Sequence, residues 1–207
     1  SQVCRPLGMN HQHSAADWDA RYREEDRIWS GNPNAALIAE VTGLQTGTAL
    51  DVGCGEGADA IWLAQQGWQV TALDVSQVAL DRAANAASAH EVHVDWRCAG
   101  IESSPGEFDL VSAFYLPIHR ESNALAALLE SVAPGGTLLV VHHAEFDPRH
   151  AKDHGFDPAD YLTVDEVAAD LGPGWRVEKH QRQPREVSGG AGAHHTEDVV
   201  LRAVWEG

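Results

Sequence analysis

Leu50-Asp51-Val52-Gly53-Cys54-Gly55-Glu56-Gly57 is the most informative segment of this 207-residue chain. An apolar run ends beside the acidic Asp51, three glycines alternate through the next turn, and a helix-like segment begins at Ala58. Such a turn lets the backbone approach a ligand more closely than side chains permit. Asp74 lies 23 positions after Asp51 and ends the next apolar run. In a parallel sheet the two strand ends are neighbours, so Asp74 would hold the ribose hydroxyls of an adenosine-containing cofactor.

Short apolar runs alternate with helix-like segments from Leu50 onward, which predicts a parallel sheet with helices on both faces. The predicted strands cover 48–52, 68–73, 92–98, 108–116 and 137–142, and the predicted helices cover 58–66, 77–89, 124–132 and 164–171. Thr163 and Glu166 have the spacing of a capping box. Two further strand-like runs, 175–182 and 197–205, have no helix between them. They predict a C-terminal antiparallel hairpin on a mostly parallel, seven-stranded α/β sheet.

The charge of the chain bears on its partners. Fourteen Lys and Arg against 31 Asp and Glu give a net charge of −17. Because nucleic-acid affinity depends on neutralising phosphates with basic side chains, we expect no nucleic-acid partner. No apolar run reaches the roughly 18–20 residues of a membrane span, and the amino terminus lacks the apolar centre of a secretory signal. We therefore expect a cytoplasmic protein with no membrane partner.

Domain organisation and cysteine content are simple. We expect a flexible N-terminal segment over residues 1–14 and one domain over 15–207, in a monomer or a homodimer. The three cysteines (Cys4, Cys54 and Cys98) are an odd number without CxxC spacing, which argues against a disulfide framework.

The glycine turn departs from the dinucleotide fingerprint. That fingerprint places its third small residue two positions after the glycine pair, where a pyrophosphate rests on the helix N-terminus. Glu56 occupies this position and would place a carboxylate near the pyrophosphate, which is unfavourable for NAD. A cofactor without phosphates that has an ammonium group tolerates acidic neighbours.

Several segments together resemble a known family. Leu50 to Gly57 looks like motif I of the class I S-adenosylmethionine-dependent methyltransferases. The resemblance continues through Val70-Thr71-Ala72-Leu73-Asp74-Val75-Ser76, Phe108-Asp109-Leu110-Val111 and Ala133-Pro134-Gly135-Gly136-Thr137-Leu138, and it includes the terminal hairpin. Trp18-Asp19-Ala20-Arg21-Tyr22 and Ile28-Trp29-Ser30-Gly31 loosely resemble the small tellurite-resistance and thiopurine-type methyltransferases. The implied fold is the three-layer Rossmann-like methyltransferase fold.

The resemblance also implies a cofactor site for S-adenosylmethionine, with S-adenosylhomocysteine as product. Asp51 would lie near the cofactor ammonium, Asp74 would bind both ribose hydroxyls, and Val75 would pack on the adenine. The remaining implied cofactor residues are the motif I residues Gly53, Cys54, Gly55 and Gly57, then Gly100 and Ile101 after the third strand, and Ala113 and Phe114 under the sulfonium. Trp29 and Tyr22 would cover the cofactor, because a cationic sulfonium suits aromatic faces.

Histidines are the candidates for acid–base work. The candidate catalytic residues that follow strands four and five or lie in the hairpin loop are His119, His142, His143 and His195. They lie near the carboxyl ends of the strands, where α/β sheets bind ligands. The chain lacks signatures such as HExxH, so no metal site is predicted.

The predicted function is methyl transfer from S-adenosylmethionine to a small-molecule acceptor. The base-methylating (Asp/Asn)-Pro-Pro-(Tyr/Phe) motif is missing, since the fourth strand ends Ala113-Phe114-Tyr115-Leu116-Pro117. The subfamily likeness points to a thiol or a chalcogen oxyanion as acceptor. Two alternatives stay open: a protein that binds S-adenosylmethionine without turnover, and a nicotinamide-dependent oxidoreductase.

Overall fold

The computed structural model describes residues 15–24, 31–103, 106–144, 157–185 and 197–207. The described strands are β1 (Thr48–Val52), β2 (Gln69–Asp74), β3 (Asp95–Cys98), β4 (Phe108–Phe114), β5 (Val132–His143), β6 (Trp175–Pro184) and β7 (Glu197–Trp205). The described helices are α1 (Ala15–Glu24), α2 (Ala35–Val41), α3 (Ala58–Gln65), α4 (Gln77–Ala89), α5 (Ala124–Glu130) and α6 (Val164–Ala169).

The strands form one seven-stranded sheet in the order β3-β2-β1-β4-β5-β7-β6. The five strands from β3 to β5 in this order run parallel, and β7 pairs antiparallel with both β5 and β6. The predicted α/β fold with its C-terminal hairpin is confirmed. Because β1, β2 and β4 are parallel neighbours, their carboxyl ends meet at one edge of the sheet, where ligands bind in α/β folds.

Local chemistry explains the helix starts. Ser76 caps α4 by accepting a hydrogen bond from the Ala79 backbone at 3.1 Å. Thr163 and Glu166 form the predicted capping box at the start of α6. These side chains satisfy backbone N–H groups that have no partner within the helix.

The core lies on both faces of the sheet. One layer contains Leu50, Val52 and Ala113, and α5 and α6 pack over it. The opposite layer contains Ala49 and Phe114, with α2 and α3 packed over it. Alternation of side chains along each strand sends neighbours to opposite layers.

One cysteine departs from expectation. Cys98, at the end of β3, is disulfide-bonded in the structure, whereas the cysteine count argued against disulfides. Cys54 is a free thiol.

Candidate functional site

The glycine turn after β1 is attached to the end of β2. The backbone N–H groups of Gly53 and Cys54 both donate to the carbonyl of Leu73, at 2.8 and 2.9 Å. The turn closes when the Gly57 N–H donates to the Cys54 carbonyl at 3.0 Å. The first two strand ends therefore form one rigid edge.

Two positions in the turn require glycine. Gly53 has a φ of 71°, and a Cβ there would lie 2.8 Å from Cδ1 of Leu116. Gly57 has a φ of 90°, and its Cβ would lie 2.7 Å from the Trp96 ring and 2.8 Å from Ala83. L-residues rarely adopt this left-handed conformation, and neighbouring side chains already fill the space that a Cβ would need, so both positions are restricted to glycine.

Asp74 is held in place by backbone donors. Its Oδ2 accepts from the Gly55 N–H at 2.8 Å, and its Oδ1 accepts from the Ser76 N–H at 2.9 Å. A carboxylate has about four acceptor positions, so each oxygen retains capacity for one more donor such as a hydroxyl. Burial raises the pKa of Asp74, and the two backbone hydrogen bonds oppose that shift.

Asp51 is the least satisfied polar group of the site. The residue is 3% exposed, and its Oδ1 accepts a long hydrogen bond of 3.4 Å from the Ser112 hydroxyl. Its Oδ2 is buried without a hydrogen-bond partner among the described residues. Burial, and then the nearby charge of Asp59, raise the pKa of Asp51 well above its ordinary value. A buried carboxylate in this state is stabilised by a cationic ligand such as an ammonium group.

Asp59 connects the site to the segment before β1. Its Oδ1 accepts from the Asn34 N–H at 2.8 Å, and its Oδ2 accepts from the Asn34 side chain at 2.7 Å. Burial raises the pKa of Asp59, against these hydrogen bonds. Two buried carboxyl groups, Asp51 and Asp59, and the half-buried Asp74 thus surround the turn, an arrangement typical of functional sites.

Glu56 is already paired within the chain. Its carboxylate lies 3.4 Å from Nη1 of Arg82 on α4. This contact holds the Glu56 carboxylate towards α4.

The segment after β3 lies beside the end of β2. The Ala99 N–H donates to the Asp74 carbonyl at 3.0 Å, and a Cβ on Gly100 would lie 3.9 Å from the Val75 side chain. Val75 and Gly100 therefore border one narrow space next to Asp74. The Ile101 side chain is 7% exposed and packs into the core layer with Leu128. Only the backbone of Ile101 could therefore contact a cofactor.

The residues expected under the sulfonium are core residues. Ala113 is fully buried in one core layer, and Phe114, 7% exposed, is buried in the other. Because these side chains are buried in the core, a ligand at this edge would contact the backbone of this segment and not the side chains. Trp29 lies outside the described residues. Tyr22 packs on Ala79 in a small cluster at α4, and α1 is attached there by the Ser76 hydroxyl, which donates to Asp19 at 2.6 Å.

The structure separates the candidate histidines. His119 forms a bridge with Tyr161 and accepts a hydrogen bond on Nδ1 from the Glu121 N–H at 3.2 Å. His142 and His143 end β5, and their rings meet edge to face with centroids 5.5 Å apart. His195 lies outside the described residues. Only the β5 pair, among the described candidates, contacts the polar cluster that follows.

Sequence reasoning missed a polar cluster at the ends of β4, β5 and β7. The Tyr115 ring stacks on the His143 ring with centroids 4.4 Å apart, and the Tyr115 hydroxyl donates to Asp198 at 2.8 Å. The Arg185 guanidinium also lies over the Tyr115 ring, with its central carbon 4.6 Å from the ring centroid. Asp59 contributes to the electrostatic surroundings of Tyr115, which connects this cluster to the carboxyl groups around the glycine turn.

A cavity of about 270 Å³ opens beside the same histidines. It is lined by the end of β5, the start of α6 and the hairpin, with polar side chains from His142, His143, Asp165, His180 and Arg182. His180 and Asp165 pair across its wall at 2.6 Å. Among the described residues, no group of histidine, cysteine and carboxylate side chains is arranged to hold a metal ion.

Comparisons with known proteins match this geometry to a family. Residues 49–136, from β1 to the start of the long strand β5, match the family model described as a methyltransferase domain. The structure of the N-methyltransferase NodS from Bradyrhizobium japonicum, in complex with S-adenosylhomocysteine, superposes with a TM-score of 0.70 at 18% identity. That alignment covers 94% of this chain and 100% of the other. The chain is thus similar to a methyltransferase domain over residues 49–136, and it shares the fold of a solved methyltransferase.

Curated relatives that are similar to this chain are named as methyltransferases. An uncharacterized methyltransferase of Mycobacterium tuberculosis is 36% identical over 121 residues, 56% of this chain and 61% of the relative. A ubiquinone biosynthesis O-methyltransferase of Alkalilimnicola ehrlichii is 29% identical over 147 residues, 62% of this chain and 58% of the relative. The chain thus spans about three fifths of the length of these curated relatives. The NodS complex contains S-adenosylhomocysteine, the product expected from S-adenosylmethionine.

Proposed function

We propose that this chain catalyses methyl transfer from S-adenosylmethionine to a small-molecule acceptor. The observation that supports this most directly is the buried Oδ2 of Asp51, which has no hydrogen-bond partner among the described residues and lies beside a glycine turn. An ammonium group satisfies such an oxygen and also favours its charged form. The residues of the site therefore fit the amino-acid end of the cofactor.

The chain holds such a cofactor by three kinds of contact. Asp51 would accept hydrogen bonds from the ammonium group, and the backbone at Gly53 and Gly57 would lie along the amino-acid part. Asp74 would accept from the ribose hydroxyls, because the backbone fixes its orientation and leaves acceptor capacity. Val75 would pack on the adenine.

The protein's main task is alignment. When bound, S-adenosylmethionine supplies a methyl group already activated by its attachment to a positive sulfur. The residues of the chain would hold the acceptor in line with that group at near-attack distance, which alone is worth several orders of magnitude in rate. A general base is needed when the acceptor arrives protonated, and His142 and His143 are the described candidates at the correct edge.

The space and the charges at that edge bear on the size and charge of the acceptor. The cavity of about 270 Å³ beside His142 and His143 suits a small molecule. We infer a thiol or a chalcogen oxyanion as acceptor, on the subfamily resemblance. An anionic acceptor would need local positive charge. Arg120 is paired with Glu166 and Arg182 with Glu197, and Arg185 lies over the Tyr115 ring.

The proposed partners follow the same logic. A net charge of −17 disfavours nucleic acid as a substrate. No helix in the described parts of the chain has the length and apolar character to cross a membrane. A cytoplasmic location and a monomeric or homodimeric state complete the proposal.

Binding calorimetry tests the cofactor site. We expect S-adenosylhomocysteine to bind the wild-type protein and NAD not to bind. Asp51→Asn and Asp74→Ala should each weaken S-adenosylhomocysteine binding by about 10- to 100-fold, since hydrogen bonds to charged groups contribute roughly 1.5–3 kcal/mol. The control is Asp95→Asn, which removes a carboxylate of β3 that is 45% exposed and pairs with Arg97. Unchanged affinity in both site variants would contradict the assignment, and NAD binding would favour the oxidoreductase alternative.

A methyl-transfer screen tests the activity itself. The panel should contain small thiols, chalcogen oxyanions, amines and phenols, with product detected by mass spectrometry. Turnover of one class identifies the acceptor. Tight S-adenosylhomocysteine binding without turnover of any acceptor would favour the alternative of a binding protein.

A further inference from the structure

The polar cluster defined by Tyr115, His143 and Asp198 lies at the carboxyl ends of β4 and β5 and at the start of β7. Tyr115 directly follows β4, His143 is the last residue of β5, and Asp198 pairs with His143 in the antiparallel register of β5 and β7. Asp198 is 2% exposed, which makes it one of the most buried carboxyl groups of the protein's described part. A carboxylate so deeply buried is retained only with partners that stabilise its charge.

Asp198 has two partners, one for each carboxylate oxygen. Its Oδ2 accepts the hydrogen bond from the Tyr115 hydroxyl at 2.8 Å. Its Oδ1 lies 3.6 Å from Nδ1 of His143, just beyond hydrogen-bond length. Catalytic hydrogen bonds are often long before a substrate binds and shorten in the complex. The Tyr115 ring stacks on the His143 ring and so restricts its rotation, which keeps Nδ1 of His143 facing Asp198.

The roles of the members follow from their proton positions. Burial and the neighbouring Asp198 raise the pKa of Tyr115, so its hydroxyl stays protonated and serves as a donor. A carboxylate facing Nδ1 stabilises the imidazole tautomer with the proton on Nδ1. In that tautomer the basic lone pair is on Nε2. His119 has the opposite arrangement, because its Nδ1 already accepts a hydrogen bond from the Glu121 backbone.

We propose that Asp198 is a positioning residue that holds His143 in the Nδ1–H tautomer, so that Nε2 of His143 is the general base for an acceptor that arrives protonated. This inference rests on the proposed methyl transfer. In the step, the acceptor's proton moves to His143 Nε2 and the acceptor's lone pair forms the bond to the methyl carbon. The methyl–sulfur bond breaks, and its electron pair stays on the sulfur. Charge and atoms balance without a further reactant.

The tautomer is measurable without cofactor or acceptor. Proton–nitrogen correlation NMR of the imidazole rings, in alkaline solution where histidine is neutral, distinguishes the two tautomers. We expect the Nδ1–H form at His143 in the wild type and a shift toward the Nε2–H form in Asp198→Asn. Asp95→Asn is the matched control and should leave the His143 signals unchanged. An unaltered tautomer in Asp198→Asn would overturn the inference.

A pair of thiol probes tests the base in turnover. At neutral pH the alkyl thiol 2-mercaptoethanol is mostly protonated, whereas 4-nitrothiophenol is a thiolate and needs no base. Asp198→Asn should lose about 100-fold or more in kcat with 2-mercaptoethanol, since general base catalysis contributes roughly 10²–10⁴-fold. With 4-nitrothiophenol the loss should stay small. A merely structural role would lower both rates equally, and that result would overturn the inference.

Two further measurements separate the possible failures. His143→Gln should reproduce the selective loss, which covers the case that Asp198→Asn does not fold. Unchanged S-adenosylhomocysteine affinity in both variants verifies an intact cofactor site. If the wild type binds no S-adenosylhomocysteine, the proposed function fails. If the wild type binds it yet methylates neither thiol, the thiol assignment fails and the tautomer measurement alone decides the role of Asp198.

Discussion

At the scale of single residues, Asp51 is the group whose protonation should affect stability most visibly. Its pKa is raised well above the ordinary 3.8 because burial and Asp59 disfavour its charged form. The folded protein therefore binds this proton more tightly than the unfolded chain does. The stability that comes from proton binding at Asp51 is therefore present at low pH and is lost as the pH rises from about 4 toward the raised pKa.

Urea unfolding across this pH range measures the effect. We expect the free energy of unfolding of the ligand-free wild type to fall with rising pH more steeply than that of Asp51→Asn, which cannot ionise there. Asp95→Asn should follow the wild type, because the Asp95 carboxylate forms a surface ion pair with Arg97, and such pairs contribute little to stability. Parallel curves for wild type and Asp51→Asn would show that Asp51 ionises normally in the folded state.

The residues that sequence reasoning identified are those that lie in one local pattern. Asp51, the turn glycines and Asp74 follow consecutive strands, so their proximity follows from a parallel sheet alone. Tyr115 and Asp198 are 83 positions apart and meet only because β7 inserts beside β5. The hairpin prediction places β7 next to β6. It does not place β7 next to β5, so the contact between Asp198 and His143 could not be predicted from residue spacing.

At the scale of elements, α2 is attached to the hairpin by a buried ion network. Glu40 on α2 is 4% exposed and pairs with Lys179 of β6 and with Arg202 of β7, whose Nη1 lies 2.7 Å from the Glu40 carboxylate. Removing one member of a buried network leaves the others without compensation. This network joins the segment before β1 to the last two strands.

Glu40→Ala tests the contribution of this network. We expect a loss of about 2–3 kcal/mol in the free energy of unfolding, the range for hydrogen bonds to charged groups. The matched control, Glu130→Ala, removes an exposed carboxylate at the end of α5 and should change stability by less than about 0.5 kcal/mol. If Glu40→Ala loses no more stability than the control, then the attraction between Glu40 and its two basic partners only offsets the cost of removing these charges from water.

The elements themselves were predicted to different degrees. β1 and β7 have the predicted bounds, because an apolar run with clear turn residues marks both. β5 begins at Val132 rather than 137. Val132, expected at the end of a helix, and residues 134–136, expected as a turn, belong to the strand, which has an irregular register opposite β4. β3 begins three residues late, at Asp95. Sequence analysis did not predict α1 and α2, whose stability comes from contacts with α4 and the core.

At the scale of the whole molecule, charge and ligand binding act together. A net charge of −17 creates a negative field that favours the approach of a cationic cofactor. A ligand that binds only the folded state stabilises it by about 2.7 kcal/mol at 100 times its Kd. For a chain of this size that corresponds to a rise of roughly 5–10 °C in Tm.

Thermal unfolding with added ligands measures this directly. We expect S-adenosylhomocysteine at 100 times its Kd to raise Tm by that amount, and NAD at the same concentration to leave Tm unchanged. In Asp51→Asn the same S-adenosylhomocysteine concentration should give a smaller rise, because its affinity is weaker. Equal shifts with both ligands would point to nonspecific stabilisation.

The strand order has a consequence for synthesis of the protein. β6 emerges from the ribosome before β7, yet β6 pairs only with β7, which lies between it and β5. Until β7 is made, the edge of β5 is uncovered and Val200 and Leu201 are missing from the core. The strands around the glycine turn can therefore assemble on a growing chain well before Asp198 reaches His143. On the proposed function, a nascent chain would complete the site for its methyl donor before Asp198 pairs with His143.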